Sequence, residues 1–577
     1  MKLTNKILTI IALGITISGC SSFLEDELQY THEEEVITSG QRSRGIIDEI
    51  YTDYSFDYFT DFSNEYLTDN GVLNSQETAL ATGYWGPTDN PYSDVWQRSY
   101  NNIRQVYQYI ELIHDKDLPY LQSEASSELS DIIVSRYYGE AHFLKAFAEW
   151  ELLKVFGGPD ASGTMLGFPI VDGILENEEY ALLSRNTYDE CVAQIMEDLD
   201  VAIENLPIIY TGTDTNNPGY SDLETGRASG LAAYALKAKV ALFAASPAFN
   251  TTNDIAKWEL AASLAHDVIV QNGGLKSLQA YDFDRENNPD HIWRMRNSRN
   301  NNSLEQRLYP PSLFGQGEVN PSQNLVDAFP DASGYPIGNA SSTYDASVPY
   351  TSRDKRFYKF IFYNGDQCFE SETCTDYNPL EMFQGGLDNF GGFIQEEGTR
   401  TGYYLKKFLN DLEFDPSVDN AINTLPKVYV QLGLTDMYLT YAEAVNEAYG
   451  QPDAVPAGLS FSAKDALAMV RKRAGINTDP YLDEVSGNKE DFKTLLQNER
   501  RIELCFTGER FHDLRRWKDI VDTEGIKGVK ITKNSDDTFS YQNIDVERRQ
   551  YENKNYYLPL PYDELLINTN LKQNQGW

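Results

Sequence analysis

The chain has 577 residues, of which 41% are hydrophobic and 12% aromatic, and its formal net charge is −40. This apolar content is typical of a folded protein and argues against a disordered chain. The strong negative charge argues against binding to nucleic-acid phosphates or docking on anionic lipid, so we expect no nucleic-acid partner.

The first 20 residues predict an exported lipoprotein. Lys2 and Lys6 form a positive start, and the apolar run over residues 7–17 is too short to span a bilayer. Residues 17–20, Ile-Ser-Gly-Cys, look like a bacterial lipobox. We expect residues 1–19 to be a signal peptide and Cys20 to carry acyl chains such as palmitate, which would hold the protein on a membrane. An ordinary secretory signal with a coincidental cysteine is the alternative.

The region from about residue 45 to residue 155 follows helical periodicity. Apolar residues recur at helical spacing from Tyr100 to Ile113, and again from Ala141 to Val155, where small and large side chains alternate. Two glycines and Pro159 end the second of these helices. Small residues at fixed helical positions let neighbouring helices approach closely, as they do in tetratricopeptide pairs.

Further helices come in pairs along the chain. Thr187 is suited to cap a helix that Pro207 ends. The other predicted helices, which follow no strict repeat length, cover residues 228–245, 258–270, 437–448 and 464–474. The pattern predicts a mainly α fold in which tetratricopeptide-like helix pairs form the scaffold.

Between residues 274 and 430 the helical periodicity is lost, and Gly, Asn, Pro and aromatic residues dominate. A compact domain rarely contains so long an irregular stretch unless it has a function or small sheets of its own. We therefore expect a loop-rich insert that contains short strands. Cys368 and Cys374 lie in a polar loop of this insert, where an exported chain allows them to be bridged or free. Cys191 and Cys505 lie in helical patterns and are expected to be buried.

Residues 488–522 predict a hairpin of two helices joined at a glycine. Apolar residues recur from Phe492 to Phe506, Ser486 can cap the start, and Gly508 suits a left-handed turn between the helices. The same helices carry more Arg and Lys than acidic residues, which is unusual in so acidic a chain. An ion-paired brace is predicted, because the planar Arg side chain pairs with carboxylates in bidentate fashion. An anion or substrate site is the alternative.

This hairpin resembles the C-terminal signature of the SusD/RagB family of outer-membrane nutrient-binding lipoproteins. The resemblance rests on the pattern Glu-Arg-Arg-x-Glu-Leu-x-Phe-x-Gly-x-Arg-Phe-x-Asp-Leu-x-Arg-Trp at residues 499–517. Other phrases similar to the family's lie at residues 138–159, 321–329, 353–357 and 557–577. The similarity is weakest at residues 45–100 and 274–430, where the ligand would be chosen.

The resemblance implies one SusD-like domain over residues 20–577. This domain would contain N-terminal helical repeats (20–273), a ligand-facing loop-rich region (274–430) and C-terminal repeats with the signature (431–577). The family also implies a protein on the outer face of the outer membrane that binds a glycan or oligosaccharide. It would pass this ligand to a TonB-dependent transporter of the SusC type. Binding of peptide or protein nutrients and a helical glycoside hydrolase are the alternatives.

Motifs for catalysis and for metal binding are missing from the sequence. The six His residues are widely separated, which excludes a His-Glu-x-x-His motif, and there is no phosphate loop and no Gly-x-Ser-x-Gly elbow. The pattern Asp282-x-Asp284-x-Glu286 begins like a calcium loop but lacks the sixth-position glycine and the final Glu. We expect a protein that is not an enzyme and has no metal and no cofactor.

Aromatic residues outside the helical faces are the candidates for ligand contact. Aromatic rings can stack on the apolar faces of sugars while polar side chains bond the hydroxyls. The predicted ligand-binding residues are Tyr84, Trp85, Trp96, Trp293 and Tyr309. Packing in the core or in loops is the alternative for each of them. Trp258 and Trp517 lie on helical faces and are expected to be core residues.

Overall fold

The computed structural model describes residues 40–54, 58–75, 85–111, 127–210, 226–283, 288–294, 299–300, 302–367, 379–389, 398–409, 426–523 and 525–577. Helices are the commonest regular element among these residues. The α-helices of the first half are Gly40–Asp53 (α1), Tyr58–Glu65 (α2), Ser93–Tyr109 (α3), Ser127–Phe156 (α4), Asn177–Tyr180 (α5), Tyr188–Asn205 (α6), Gly230–Ala245 (α7) and Ile255–Gln271 (α8).

The remaining helices lie within the insert, where all are short, or after it. They are Asn302–Leu308 (α9), Gln323–Ala328 (α10), Lys355–Phe360 (α11), Leu434–Tyr449 (α12), Ala463–Arg473 (α13), Pro480–Val485 (α14), Lys489–Glu503 (α15), Glu509–Trp517 (α16) and Tyr562–Ile567 (α17).

The strands of the described segments form antiparallel pairs rather than a continuous sheet. The pairs are Gly71–Leu73 (β1) with Val319–Pro321 (β6), Gly158–Pro159 (β2) with Met165–Leu166 (β3), His291–Arg294 (β4) with Val430–Gly433 (β10), Arg299–Asn300 (β5) with Pro426–Lys427 (β9), Ile361–Phe362 (β7) with Tyr404–Leu405 (β8), and Gly525–Lys533 (β11) with Phe539–Arg548 (β12). The expected short strands of the insert are therefore present.

The long helices form a continuous stack. Helix α3 packs on α4, α4 on α6, α6 on α7 and α7 on α8. Helix α8 then packs on α12, although the insert separates them in the chain, and α12 packs on α13 and α15. The predicted fold class, helix pairs with a loop-rich insert, is confirmed. The insert leaves the stack between two helices that are neighbours in space.

The ends of the helices follow local side-chain chemistry. Thr187 and Glu190 form a capping box at the start of α6, as the sequence predicted for Thr187. The expected cap of α15 is wrong. Asn488 caps this helix by accepting from the N–H groups of its first turn, whereas the Ser486 hydroxyl donates to the Leu482 carbonyl at the end of α14.

Two hydrophobic clusters form the core, and the α15–α16 hairpin contributes to both. The first cluster fills the helical stack and includes Leu495 and Phe511 of the hairpin. The second lies under the insert and includes Ile502 and Phe506. Trp258, Trp517, Cys191 and Cys505 are buried, as expected. The hairpin therefore fastens the insert to the scaffold.

The longest strand pair, β11 with β12, is a feature that the sequence analysis missed. Ile526, Val529 and Ile531 of β11 are buried while the residues between them are mostly exposed. This alternation is the signal of a half-buried strand. Hairpin β11–β12 packs on α10 of the insert, and its buried Val529 and Ile531 side chains form part of the second cluster.

Candidate functional site

The α15–α16 hairpin carries a buried network of ion pairs. Glu499 accepts from Arg471 at 2.9 Å, and Glu503 accepts from Arg356 and Arg473 at 2.8 and 2.7 Å. Burial alone would raise the pKa of Glu503, but Arg473 and Arg356 outweigh it and hold the pKa below its usual value. Glu503 is therefore ionised and fully paired.

A second set of pairs joins the hairpin to helix α12. Arg500 contacts Asp436 at 2.6 Å and Asp513 at 2.8 Å. Arg516 donates to both carboxylate oxygens of Glu443, at 2.6 and 2.7 Å. All five side chains are buried. The prediction of an ion-paired brace is confirmed, including its bidentate geometry.

Two opposite charges lie at the turn between α15 and α16. The Lys407 ammonium donates to the carbonyls of Glu503 and Cys505, at 2.9 and 2.7 Å, where α15 ends. Glu65 accepts from the N–H of Gly508 at 3.2 Å, where α16 begins. A cation suits the C-terminal end of a helix and an acid suits the N-terminal end. Gly508 has a φ of 76°, which is the predicted left-handed turn.

A cavity of about 300 Å³ lies where this hairpin, the helical stack and the insert meet. Its volume is at the small end of the roughly 300–1,000 Å³ range of ligand pockets. The hairpin lines it with residues 503–504, 507–509 and 512, the stack with parts of α3, α4, α7, α12 and α13, and the insert with residues 280–283, 288, 290–291, 407–408 and 428–431.

The cavity combines aromatic rings with polar side chains, of which many are already engaged. Its rings belong to Tyr92, Tyr281, Phe283, Phe408 and Tyr429. The Tyr92 hydroxyl donates to Asn64 at 2.7 Å, and the Tyr281 hydroxyl donates to Glu503. These bonds fix the two rings in the wall. The half-buried Tyr429 directly precedes strand β10.

Four polar side chains of the lining have no hydrogen-bond or ion-pair partner among the residues that the structure describes. They are Arg98 on α3, His291 on β4, Gln431 on β10 and His512 on α16. A buried polar group without a partner costs free energy. These four groups are therefore the ones best placed to bond a ligand.

The two imidazoles of the cavity are uncharged near neutral pH. Burial lowers the pKa of His512 well below its usual value, and Lys154, Arg515 and Lys239 lower it further. Burial likewise lowers the pKa of His291 to about 4. A neutral imidazole has one donor and one acceptor. His512, which is 9% exposed, can therefore both give and receive a hydrogen bond.

The structure does not bring together the four predicted ligand-binding residues that it describes. Trp96 is 1% exposed and packs on Phe156, with ring centroids 5.2 Å apart. Trp293 is 4% exposed and lies edge-on to Phe143, at 4.8 Å. Tyr309 is 0% exposed within the second cluster. Each of these three rings packs in the core, which is the alternative that the sequence analysis gives for it.

Trp85 is the predicted residue that stays partly exposed, with its ring 5.1 Å from that of Trp577 and outside the cavity. Its role in ligand binding remains a prediction. Tyr84, Cys20, Cys368 and Cys374 lie outside the described residues, as do positions 284 and 286 of the calcium-like pattern.

Several residues of the cavity were not predicted from the sequence. Tyr281 and Phe283 lie in the aromatic-rich start of the insert, and this composition was the available signal. Gln431 lies on β10 and Tyr429 lies directly before it, and both line the cavity. Only the packing of distant segments brings these residues to one cavity.

The described residues contain neither a membrane-spanning helix nor a metal-binding cluster. None of their helices is long and apolar enough to cross a membrane. They also contain no group of three or more His, Cys, Asp or Glu side chains that could hold a metal ion.

Comparison with known proteins identifies the family. A family model described as "SusD family" matches residues 278–577, a little over half of the chain. The chain belongs to the SusD family. A second SusD-like model, described as "Starch-binding associating with outer membrane", matches residues 23–242.

Individual SusD-like proteins resemble the chain over most of its length. A SusD-like protein of Formosa agariphila is 22% identical and covers 84% of this chain and 79% of its own. A SusD-like crystal structure from Bacteroides fragilis has a TM-score of 0.72 at 23% identity, over 94% of this chain and 98% of its own. A SusD-like carbohydrate-binding protein of the same species has a TM-score of 0.68 at 19% identity, over 93% and 99%.

Proposed function

We propose that this SusD-family chain is a lipid-anchored outer-membrane protein that binds a glycan or oligosaccharide in the cavity between scaffold and insert. The observation that carries the proposal is the lining of that cavity. It joins aromatic rings to polar groups, four of which lack a partner in the described part of the chain. The carbohydrate-binding description of one structural relative supports the same class of ligand.

Binding would be an equilibrium process in which no bond of the glycan is made or broken. The apolar face of a sugar ring would pack on Tyr429, which lies at the edge of the second cluster. Gln431 and the neutral His512 would form hydrogen bonds with sugar hydroxyls. These bonds would replace some of the hydrogen bonds to water that the protein and the sugar lose on binding. The ion-paired carboxylates of the lining, such as Glu503, hold the wall and are not assigned a role in acid–base chemistry.

Two further parts of the proposal concern the place of the protein in the cell. Cys20 would carry the lipid that holds the chain on the outer membrane, facing outward. A TonB-dependent transporter of the SusC type would accept the glycan. The outer-membrane description of the family model that matches residues 23–242 supports this location.

The test is calorimetric titration of the mature chain with the best ligand from a glycan array. We expect Tyr429→Ala to weaken binding about five- to 150-fold, by analogy with rings stacked on nucleic-acid bases, each of which contributes roughly 1–3 kcal/mol. Tyr449→Ala is the matched control. Tyr449 ends α12 outside the cavity and is 39% exposed, so its loss should leave affinity unchanged.

Three results would contradict the proposal. Equal affinities of both variants and the parent would place the site elsewhere. Binding of a peptide library in place of glycans would indicate a peptide-binding protein. New reducing ends after incubation with the array ligand would indicate a hydrolase.

A further inference from the structure

The cations that line the cavity are, with one exception, bonded to carboxylates or carbonyls of the protein. Lys154 contacts Glu151 at 2.6 Å. The other engaged cations are Lys239 with Asp436 at 3.2 Å and Glu509 at 2.5 Å, Arg473 with Glu503 at 2.7 Å, and Lys407 with two backbone carbonyls. Arg98 is the exception in the described segments.

Arg98 lies on α3 in a position that leaves its charge uncompensated. Its Nε atom is buried and has no hydrogen-bond partner. The centre of its guanidinium lies 6.0 Å from the ring of Tyr54, a distant contact that satisfies none of its N–H groups. Glu151, which also lines the cavity, is already paired with Lys154. Arg98, Lys154 and Glu151 together therefore carry one net positive charge.

The buried guanidinium groups of the described residues are engaged in two ways. Arg356, Arg500 and Arg516 pair with carboxylates. Arg185, Arg353 and Arg515 have no carboxylate partner and donate to backbone carbonyls instead. Arg98 has neither kind of partner and lies at the wall of a cavity. An anionic group of the ligand would complete its fork of N–H donors with two charge-assisted bonds.

We propose that Arg98 determines the ligand class of the cavity by binding an anionic substituent, a carboxylate or a sulfate, on the glycan. This inference rests on the proposed function and narrows its ligand from glycans in general to acidic glycans. Arg suits the role better than Lys because its planar fork matches the geometry of both oxyanions.

The experiment compares pairs of oligosaccharides that differ only in charge. One pair is a uronic-acid oligosaccharide and its carboxyl-reduced form, and the other is a sulfated oligosaccharide and its desulfated form. Each is titrated against the mature parent chain, Arg98→Gln, Arg98→Lys and Arg104→Gln. Arg104 lies on the same helix, is exposed and does not line the cavity, so its variant is the matched control.

We expect the parent and Arg104→Gln to prefer the charged member of at least one pair. Arg98→Gln should weaken binding of that member about ten- to a hundredfold and leave its neutral counterpart unchanged. The affinity of Arg98→Lys for the charged member should lie between those of the parent and Arg98→Gln, because Lys keeps the positive charge and lacks the planar fork of N–H donors. The pair that responds distinguishes carboxylate from sulfate. Melting temperatures of the variants check that each one is folded.

The outcomes separate this inference from the proposed function. If the parent binds charged and neutral members equally, or if Arg98→Gln weakens both equally, the role of Arg98 is overturned while glycan binding stands. If the chain binds no oligosaccharide of either pair or of the array, both proposals fail.

Discussion

Glu65 shows how a single buried residue couples this fold to pH. Burial raises its pKa from 4.5 to about 7, although the hydrogen bond from Asn70 and the charges of Lys407 and Arg510 oppose the rise. Between these pH values the folded chain holds a proton that the unfolded chain has lost. The contribution of Glu65 to stability is therefore present below about pH 4.5 and is lost as pH rises to about 7.

Replacing Glu65 by Gln should remove this pH dependence. At roughly 1.4 kcal/mol per pKa unit, the contribution of the Glu65 carboxyl to the free energy of unfolding falls by about 3 kcal/mol between these two pH values. Melting temperatures of parent and Glu65→Gln, measured at pH 5 and pH 8, give the test. The melting temperature of the variant, relative to that of the parent, should be higher at pH 8 than at pH 5, because Gln cannot ionise. A constant difference between the two proteins would contradict the raised pKa of Glu65.

Residue-scale prediction from the sequence succeeded where helical periodicity fixes burial and failed where it does not. Trp258 and Trp517 were placed in the core because they lie on helical faces. The irregular sequence around Trp293 suggests a ring available to ligand, yet strand β4 packs this ring against Phe143 and Phe147 of α4. Irregular sequence predicts an irregular backbone, and it carries no information on which side chains that backbone buries.

At the scale of elements, the α15–α16 hairpin is a brace whose removal should cost stability rather than affinity. Glu499 is the better probe than Glu503, because Glu503 also lines the cavity and Glu499 does not. Glu499→Ala leaves the buried Arg471 and Arg356 each short of a partner. Both keep another carboxylate, so we expect a loss of about 3 kcal/mol, the lower end for a broken buried pair.

Thermal unfolding and glycan titration of the same Glu499→Ala sample provide the measurement, with Glu499→Gln as the variant that preserves shape. A lower melting temperature with unchanged affinity supports the brace. An unchanged melting temperature with lost affinity would instead support the anion or substrate site.

Elements were predictable in proportion to their local signals. Thr187 and the glycines after Phe156 are local signals, and the helix start and the helix end predicted from them are confirmed. Asn488 and the nearby Ser486 are both residue types that cap helices. Only the hydrogen bonds of the folded chain show that Asn488 is the cap of α15. The cavity depends on contacts between distant segments, which bring Tyr429 to Tyr281 and His512, and no local pattern contains such information.

At the scale of the whole molecule, a helical scaffold holds an insert, and we propose that the N-terminus tethers the chain to a membrane. The division into residues 20–273, 274–430 and 431–577 stays a prediction, as does the signal peptide at 1–19. The packing of α8 on α12 does give a physical reason for the arrangement. The insert is held at both ends by neighbouring helices, so its loops can vary without disturbing the stack.

The anchor is tested by fractionating cells that express the parent and Cys20→Ala. Several acyl chains, at about 0.8 kcal/mol for each buried methylene, hold a protein on a membrane durably. We expect the variant to move from the membrane to the soluble fraction. Cys20→Ala that stays on membranes in cells without a SusC-type transporter would contradict the lipid anchor. Membrane retention only in cells with such a transporter would indicate a complex between the two proteins.

The central claim is that the cavity between scaffold and insert holds the glycan. A crystal structure of the mature chain with the best array ligand tests it most directly. We predict that a sugar ring packs against Tyr429, that its hydroxyls form hydrogen bonds with Gln431 and His512, and that an anionic group of the ligand binds Arg98. A ligand bound instead on the surface beside Trp85, with the cavity empty, would contradict it.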